Sequence, residues 1–164
     1  MADWVPTIKQ LALADNACYG CGIANAEDGE LFSAADIDHE ELCWDSVYSD
    51  PYEFEGVDES GQAKKYHIVE KSTIQEVFEN KRSSIGIFIG GHKYTFATYD
   101  DDCQSGAYTF QCVSAAKNKG GAHLVRTPGG YIVICVFDET RGQNKTTSRM
   151  AAFALAEYMA ANGY

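Results

Sequence analysis

The stretch GGAHLVRTPGGYIVICVF, residues 120–137, decides the fold of this chain. Its two apolar segments flank Pro128-Gly129-Gly130, which predicts a tight turn because proline presets the first turn angle and glycine accepts a positive φ. Residues 131–137 are apolar without alternation and rich in β-branched side chains, a pattern typical of a strand covered on both faces. The stretch therefore predicts a β-hairpin within a sheet that has helices on each side.

A long helix is predicted after this hairpin. It begins near Lys145 and ends at Asn162-Gly163, a typical C-terminal cap. Apolar residues recur at the i, i+3, i+4, i+7 and i+8 spacing of one buried stripe. The stripe consists of Ala151, Ala154, Leu155, Tyr158 and Met159.

The rest of the chain predicts an antiparallel meander. A first helix runs from Trp4 to about Ala14 with Asp3 as its cap, and short helices are expected at residues 42–48 and 72–79. Strand patterns occupy residues 17–24, 30–34, 85–89, 93–97 and 108–114, and acidic residues 100–102 are expected to end one hairpin in solvent. Residues 52–69 alternate on both sides of a polar turn and predict an inserted β-hairpin arm.

The predicted fold class is α+β, an α/β/α sandwich. A central, mostly antiparallel sheet of about six or seven strands carries the N- and C-terminal helices on one face and shorter helices on the other. At this length, residues 1–164 are expected to form a single domain.

The charge and hydropathy of the chain exclude several classes of protein. With 13 basic and 24 acidic residues, the net charge of -11 repels phosphate backbones, so no nucleic-acid partner is expected. No apolar segment approaches the roughly 20 residues that span a bilayer, and the N-terminal residues lack the pattern of a signal peptide. We therefore expect a soluble, cytoplasmic protein whose six cysteines are free thiols.

The candidate chemical motifs are weak. Cys18 and Cys21 have the spacing of a dithiol redox centre, but they fall in a predicted strand instead of before a helix. The acidic run from Asp36 to Glu41 lacks the glycine and the terminal glutamate of a calcium loop, and is interpreted as a solvated loop. The histidines His39, His67, His92 and His123 stand alone. No metal, cofactor or catalytic residue is predicted, and we expect that the chain is not an enzyme.

Aromatic residues give a more specific signal. Trp4, Phe32, Tyr158 and Tyr164 are placed where the two terminal helices are expected to meet. Such a cluster is either part of the hydrophobic core or, when exposed together, a groove for a polyproline II peptide.

Six motifs in order along the chain resemble the profilins, and together they cover nearly all of it. They are Trp4, the turn Asp28-Gly29, and residues 86–94, 119–121, 127–133 and 141–144. The acidic loop before Trp44 and the arm at residues 52–69 resemble those of apicomplexan-parasite profilins in particular.

The resemblance implies a cytoskeletal adaptor, expected to be a monomer. It implies that the chain sequesters actin monomers, delivers them to formin-driven filament growth, and binds proline-rich segments of formins at a second, weak site. It also implies phosphoinositide binding, which the acidic net charge disfavours. Dithiol oxidoreductase activity at Cys18 and Cys21 stays open as the alternative from a different class.

Site residues are carried over from the family by position. The implied actin-binding residues are Lys93, Thr95, Lys117, Leu124, Gln143, Asn144 and Arg149. The implied polyproline-binding residues are Trp4, Phe32, Tyr158 and Tyr164. Two positions depart from the family, because Thr7 replaces a usual aromatic residue and Phe32 replaces a common tryptophan.

Overall fold

The computed structural model describes residues 3–164, and within this range it has nine strands and three α-helices. The strands are β1 (Gly20–Asn25), β2 (Leu31–Asp36), β3 (Tyr52–Val57), β4 (Ala63–Ile68), β5 (Ile87–Ile89), β6 (His92–Ser105), β7 (Tyr108–Lys117), β8 (Gly120–Arg126) and β9 (Tyr131–Asp138). The helices are α1 (Val5–Leu11), α2 (Glu70–Asn80) and α3 (Lys145–Ala161). None of the helices in residues 3–164 has the length and hydropathy needed to cross a membrane.

Seven strands form one antiparallel sheet in the order β2-β1-β9-β8-β7-β6-β5. The predicted hairpin of β8 and β9 lies inside this sheet, with Gly120 paired to Asp138 and Arg126 to Ile132. Residues 132–137 are all buried, because packed side chains cover both faces of β9. The structure therefore confirms the hairpin and its central place.

The two faces of the sheet carry separate hydrophobic clusters. On one face, α1 and α3 contribute Ile8, Leu155 and Met159, and we call this the α3 face. On the other face, α2 contributes Val77 and Phe78, and we call this the α2 face. The α+β fold class and the position of the terminal helices are confirmed, and they determine which side chains can meet a partner on each face.

The buried face of α3 differs from the predicted stripe. Ala154 is exposed and Tyr158 is 44 % exposed, whereas Ala152 and Ala156 are fully buried. The buried stripe is centred on Leu155 and turned towards the opposite side of the helix from Ala154. Small residues at this contact allow α3 to approach the sheet closely, which the spacing of apolar residues alone does not predict.

Three further predictions are wrong in detail. Residues 42–48 form a loop instead of a helix, since the Cys43 amide donates to the Ala34 carbonyl at 3.2 Å and holds this segment against β2. Helix α1 ends at Leu11, and Asp15 with φ of 58° interrupts the helical path towards β1. Residues 100–102 are exposed as expected, but they lie within β6, where an irregular register leaves them facing solvent.

The predicted arm is a two-stranded sheet of its own. Strands β3 and β4 pair from Tyr52 with Ile68 to Val57 with Ala63, and neither joins the seven-stranded sheet. The base of the arm packs on the sheet through Phe54, whose ring centroid lies 5.1 Å from that of buried Phe88. The arm is therefore anchored at its base, while its turn is exposed to solvent.

Candidate functional site

An aromatic groove opens between α1, the end of α3 and the start of β9. It has a volume of about 390 Å³. Its lining residues are Trp4, Asn25, Asp28, Glu30, Phe32, Tyr131 and Tyr164. Three of the four predicted groove residues are therefore brought together on one concave surface.

The aromatic rings of the groove meet edge to face. The Tyr164 ring lies 4.9 Å from Trp4 and 5.5 Å from Tyr131, and the Phe32 ring lies 5.6 Å from Tyr131. This geometry is the one aromatic pairs prefer, because it places ring edges against π faces. The continuous series of rings forms a rigid apolar floor with polar side chains at its rim.

The position of Tyr164 depends on two glycines. After α3, Gly163 adopts φ of 89°, and the Tyr164 amide donates to the Met159 carbonyl at 2.9 Å, so the chain reverses over the sheet. A Cβ atom at Gly129 would lie 2.1 Å from the backbone carbon of Tyr164. Because only glycine leaves this space, the β8–β9 turn that decides the fold also admits Tyr164 to the groove.

Tyr158 and Tyr131 differ from the sequence-based assignment. Tyr158 lies at the edge of the cluster, with its ring 6.2 Å from Trp4, and it is not part of the groove lining. Tyr131, which was not predicted, connects Phe32 to Tyr164. Its pairing with Asn25 across β1 and β9 places it there, and a pairing register cannot be read from one sequence.

A second candidate site lies on the α3 face, near the edge formed by β5 and β6. Thr95, Ala116 and Gly121 occupy one row of the strand register and therefore share a face. His123, two residues along β8, shares that face, and its Nε2 donates to the Lys145 carbonyl at 3.1 Å at the start of α3. Thr95 and the start of α3 thus belong to the same side of the molecule.

Lys93 extends this surface towards the arm. It pairs with Phe88 across β5 and β6, and its Nζ lies 5.4 Å from the centre of the Phe54 ring on the arm. Such contacts hold an ammonium group over the electron-rich face of an aromatic ring. The arm and α3 therefore flank the exposed residues Lys93 and Thr95.

Arg149 and Asn144 provide the other side of this surface, at the first turns of α3. The Arg149 guanidinium carbon lies 4.9 Å from the centre of the Phe153 ring, and the side chain is exposed. The Asn144 side chain caps α3 by accepting from the Thr147 amide at 2.9 Å. We call Lys93, Thr95, Asn144 and Arg149 the basic surface.

Three predicted actin-binding residues lie outside the basic surface. Leu124 is fully buried under α2, and Gln143 is 4 % exposed, so neither side chain is accessible to a partner. Gln143 instead accepts from the Asp138 amide at 2.9 Å and donates to Asn16 Oδ1 at 3.0 Å, which is a structural role. Lys117 is half-buried, and its Nζ lies 5.4 Å from the centre of the Tyr94 ring, a residue of the α2 face.

His123 beneath the basic surface is neutral at physiological pH. It is 2 % exposed and stacks on Phe137 with ring centroids 5.7 Å apart. Burial lowers the pKa of His123 to about 4, because the imidazolium cannot be solvated there and the charge of Arg149 repels it. A neutral imidazole that donates from Nε2 therefore joins β8 to α3.

The cysteine pair does not have the geometry of a redox centre. Cys18 and Cys21 are both fully buried, and the Cys18 thiol donates to the Ala12 carbonyl at 2.9 Å. The Cys21 sulfur lies 3.4 Å from that of Cys135, and burial raises the pKa of Cys21. A dithiol catalyst needs an accessible thiolate with a lowered pKa. All six cysteines are free thiols, as the sequence predicted.

Comparisons with known proteins identify the family of this chain. The family model described as Profilin matches residues 2–164. A profilin of Plasmodium falciparum (isolate 3D7) is 33 % identical over 161 residues, covering 96 % of this chain and 94 % of the relative. A profilin of Plasmodium berghei is 30 % identical over 158 residues, covering 94 % and 91 %.

A solved structure supports the fold independently. Profilin IB of Acanthamoeba castellanii aligns with a TM-score of 0.62 at 16 % identity, over 98 % of this chain and 97 % of that one. A likeness at this identity concerns the fold alone. The family follows from the matching family model and from the identity to the curated relatives. The chain belongs to the profilin family, whose members are actin-binding regulators and not enzymes.

Proposed function

We propose that this chain binds an actin monomer through the basic surface and delivers it to formin-driven filament growth. One observation carries the proposal: on a protein of net charge -11, Lys93 beside the arm and Arg149 on α3 are exposed on the same face. A local positive surface on an acidic protein selects an acidic partner and orients its approach. Lys117, at the end of β7, has its Nζ over the Tyr94 ring on the other face of the sheet and is not part of this surface.

The arm adds apolar area and charge next to the basic surface. Lys64 and Lys65 are exposed on β4, and Val57 is 67 % exposed on β3. Phe54 anchors the arm on the side of the sheet that carries Lys93. We infer that the arm contacts the same actin monomer, which extends the interface beyond what the sheet and α3 supply.

The aromatic groove is proposed as the site for proline-rich segments of formins. A polyproline II helix has an apolar surface and unpaired carbonyl oxygens, so it fits a groove of aromatic rings with hydroxyl donors. Trp4 is only 6 % exposed and Thr7 supplies no ring. Binding is therefore expected to be weak, with Phe32, Tyr131 and Tyr164 as the principal contacts.

Phosphoinositide binding is a competing use of the same exposed cations. Anionic head groups attract clusters of lysine and arginine near a membrane surface. The net charge of -11 opposes approach to such a surface. Co-sedimentation with vesicles that contain phosphatidylinositol bisphosphate separates this use from actin binding, and we expect no binding at physiological ionic strength.

Actin assembly with and without a formin tests the proposed function. The chain is expected to suppress spontaneous assembly of actin and to permit elongation at formin-bound filament ends. The variant Tyr164→Ala is expected to suppress spontaneous assembly equally but to support less formin-driven elongation. Unchanged spontaneous assembly in the presence of excess chain would contradict actin-monomer binding.

A further inference from the structure

The loop after β2 brings together three side chains of types that bind metal ions. Asp36 ends β2, and His39 and Cys43 follow it at spacings of three and four residues. Their ligand atoms, one from each residue, all lie within 4.8 Å of one another. The prediction that His39 stands alone is therefore wrong, although the acidic loop that carries it is exposed to solvent as expected.

The cluster is held in place by the backbone. The His39 Nδ1 lies 2.9 Å and 3.0 Å from the two carboxylate oxygens of Asp36, which is only 5 % exposed. Asp36 Oδ1 also accepts from the amides of Asp38 at 3.0 Å and His39 at 2.9 Å. On the other side, the Cys43 amide is bonded to Ala34 in β2. Both ends of the loop are thus fixed to the same strand.

We propose that Asp36, His39 and Cys43 bind a zinc-class divalent metal ion, with water as the fourth ligand. The set offers a carboxylate oxygen, an imidazole nitrogen and a thiolate sulfur, which are the three ligand types of tetrahedral zinc sites. Magnesium and calcium prefer oxygen ligands alone, so the thiol and the imidazole disfavour them. This site is separate from both surfaces of the proposed function.

The distances allow tetrahedral coordination with small movements. Zinc bonds of about 2.0 Å to oxygen and nitrogen and about 2.3 Å to sulfur place ligand atoms roughly 3.3–3.6 Å apart. The Asp36 and His39 atoms therefore separate slightly, and the more distant atoms, which lie within 4.8 Å of one another, move together by roughly 1.3 Å at most. The His39 side chain is 56 % exposed, so it can make this movement without disturbing the core.

The charge of the site suits a divalent cation. The Asp36 carboxylate and a Cys43 thiolate together balance two positive charges, and the displaced thiol proton passes to solvent. Any proton shared between His39 and Asp36 passes to solvent as well, since a ligating imidazole is neutral. Exposed carboxylates at Glu40, Glu41 and Asp45 surround the loop and raise the local concentration of cations.

Binding of Co²⁺ to the full chain tests the proposal directly. Tetrahedral Co²⁺ bound to a thiolate shows a sulfur-to-metal charge-transfer band, and Zn²⁺ is expected to displace the ion and abolish the band. We expect one equivalent of Co²⁺, loss of the band in Cys43→Ser, and at least about tenfold weaker binding in His39→Gln. The matched controls His67→Gln and Cys103→Ser alter a histidine and a cysteine elsewhere, and both are expected to bind as the unmodified chain does.

Two outcomes would overturn the proposal. One is the absence of a charge-transfer band at a one-to-one ratio of metal to protein. The other is a band that persists in Cys43→Ser, which would place the ion at other thiols. Because His39 lies on the surface, His39→Gln is expected to keep the fold, and circular dichroism verifies this. Its unchanged Co²⁺ affinity would likewise reject the site.

Discussion

The Glu70 carboxylate accepts a hydrogen bond from the Tyr52 hydroxyl at 2.9 Å, and thereby joins the first residue of α2 to the base of the arm. The same carboxylate accepts from the amides of Ser49 at 3.0 Å and of Gly90 and Gly91 at 2.8 Å each. Glu70 is 4 % exposed. A buried carboxylate with four donors therefore holds the loop before the arm, the first residue of β3 and the β5–β6 turn together beside the proposed actin-binding surface.

Glu70→Gln is expected to lower the free energy of unfolding by about 3 kcal/mol, since hydrogen bonds to a charged acceptor are each worth about 1.5–3 kcal/mol. The glutamine side chain also places an NH₂ donor opposite groups that are themselves donors, so these groups lose an acceptor. Urea unfolding followed by circular dichroism measures this loss. Glu79→Gln, an exposed change in the same helix, is the control, and equal stability of the two variants would refute this role of Glu70.

The arm is predicted to serve binding more than stability. Replacing residues 55–65 with a short Gly-Ser link keeps Phe54 against Phe88 and removes no strand from the seven-stranded sheet. We expect a melting temperature within a few degrees of that of the full chain, together with weaker binding to actin monomers. If the shortened chain unfolds, the arm is part of the core, and if it retains full actin affinity, the arm is not part of the interface.

The aromatic groove is predicted to need Tyr164 more than Tyr158. Tyr164 contacts both Trp4 and Tyr131, whereas Tyr158 contacts Trp4 alone at the edge of the cluster. In a Trp44→Phe background, which leaves Trp4 as the only tryptophan, Tyr164→Ala should abolish the fluorescence change on adding a proline-rich peptide. Tyr158→Ala should preserve most of this change. If Tyr158→Ala abolished the fluorescence change and Tyr164→Ala preserved it, the groove would instead lie on the outer side of α3.

His123 is predicted to make the stability of the fold depend on pH. Its folded pKa of about 4 lies below the ordinary value of 6.5, so between these values the unfolded chain binds a proton that the folded chain does not. Stability is therefore complete above pH 6.5 and falls as the pH decreases towards 4, by about 3 kcal/mol.

His123→Gln isolates this contribution, because glutamine keeps an amide donor for the Lys145 carbonyl and does not titrate. Urea unfolding at pH 7 and pH 4.5 is expected to show a smaller loss of stability for the variant than for the unmodified chain. Protonation of carboxylates such as Asp138 at low pH lowers the stability of both proteins, so this contribution cancels in the difference. Equal losses would show that His123 does not titrate as described.

The sequence predicted an element of this structure correctly where neighbouring residues specify that element by themselves. Residues 128–130 specify their turn by backbone preference, and residues 131–137 specify a buried strand by composition, so the bounds of β8, expected at residues 122–127, and of β9 were predicted to within two residues. Residues 42–48 have helical apolar spacing, yet the hydrogen bond from Cys43 to β2 overrides it. A weak local preference yields where a tertiary contact competes with it.

Site residues could be predicted only where the secondary-structure element itself shows which of its side chains are exposed. Leu124 lies in a strand covered on both faces, and such a strand has no alternation to show that its side chain enters the α2 cluster. The cluster of Asp36, His39 and Cys43 depends on a loop whose two ends are fixed to β2. Its spacing matches no recognised motif, so only the folded chain reveals it.

The affinity of actin monomers for a charge-reversal variant tests the central claim most directly. Lys93→Glu combined with Arg149→Glu alters the two exposed cations of the basic surface, whereas Lys9→Glu combined with Arg82→Glu makes the same change in net charge elsewhere. We expect at least about a tenfold increase in the dissociation constant for the first variant, and little change for the second. Equal affinities of the two variants, with both folded, would contradict actin binding through the basic surface.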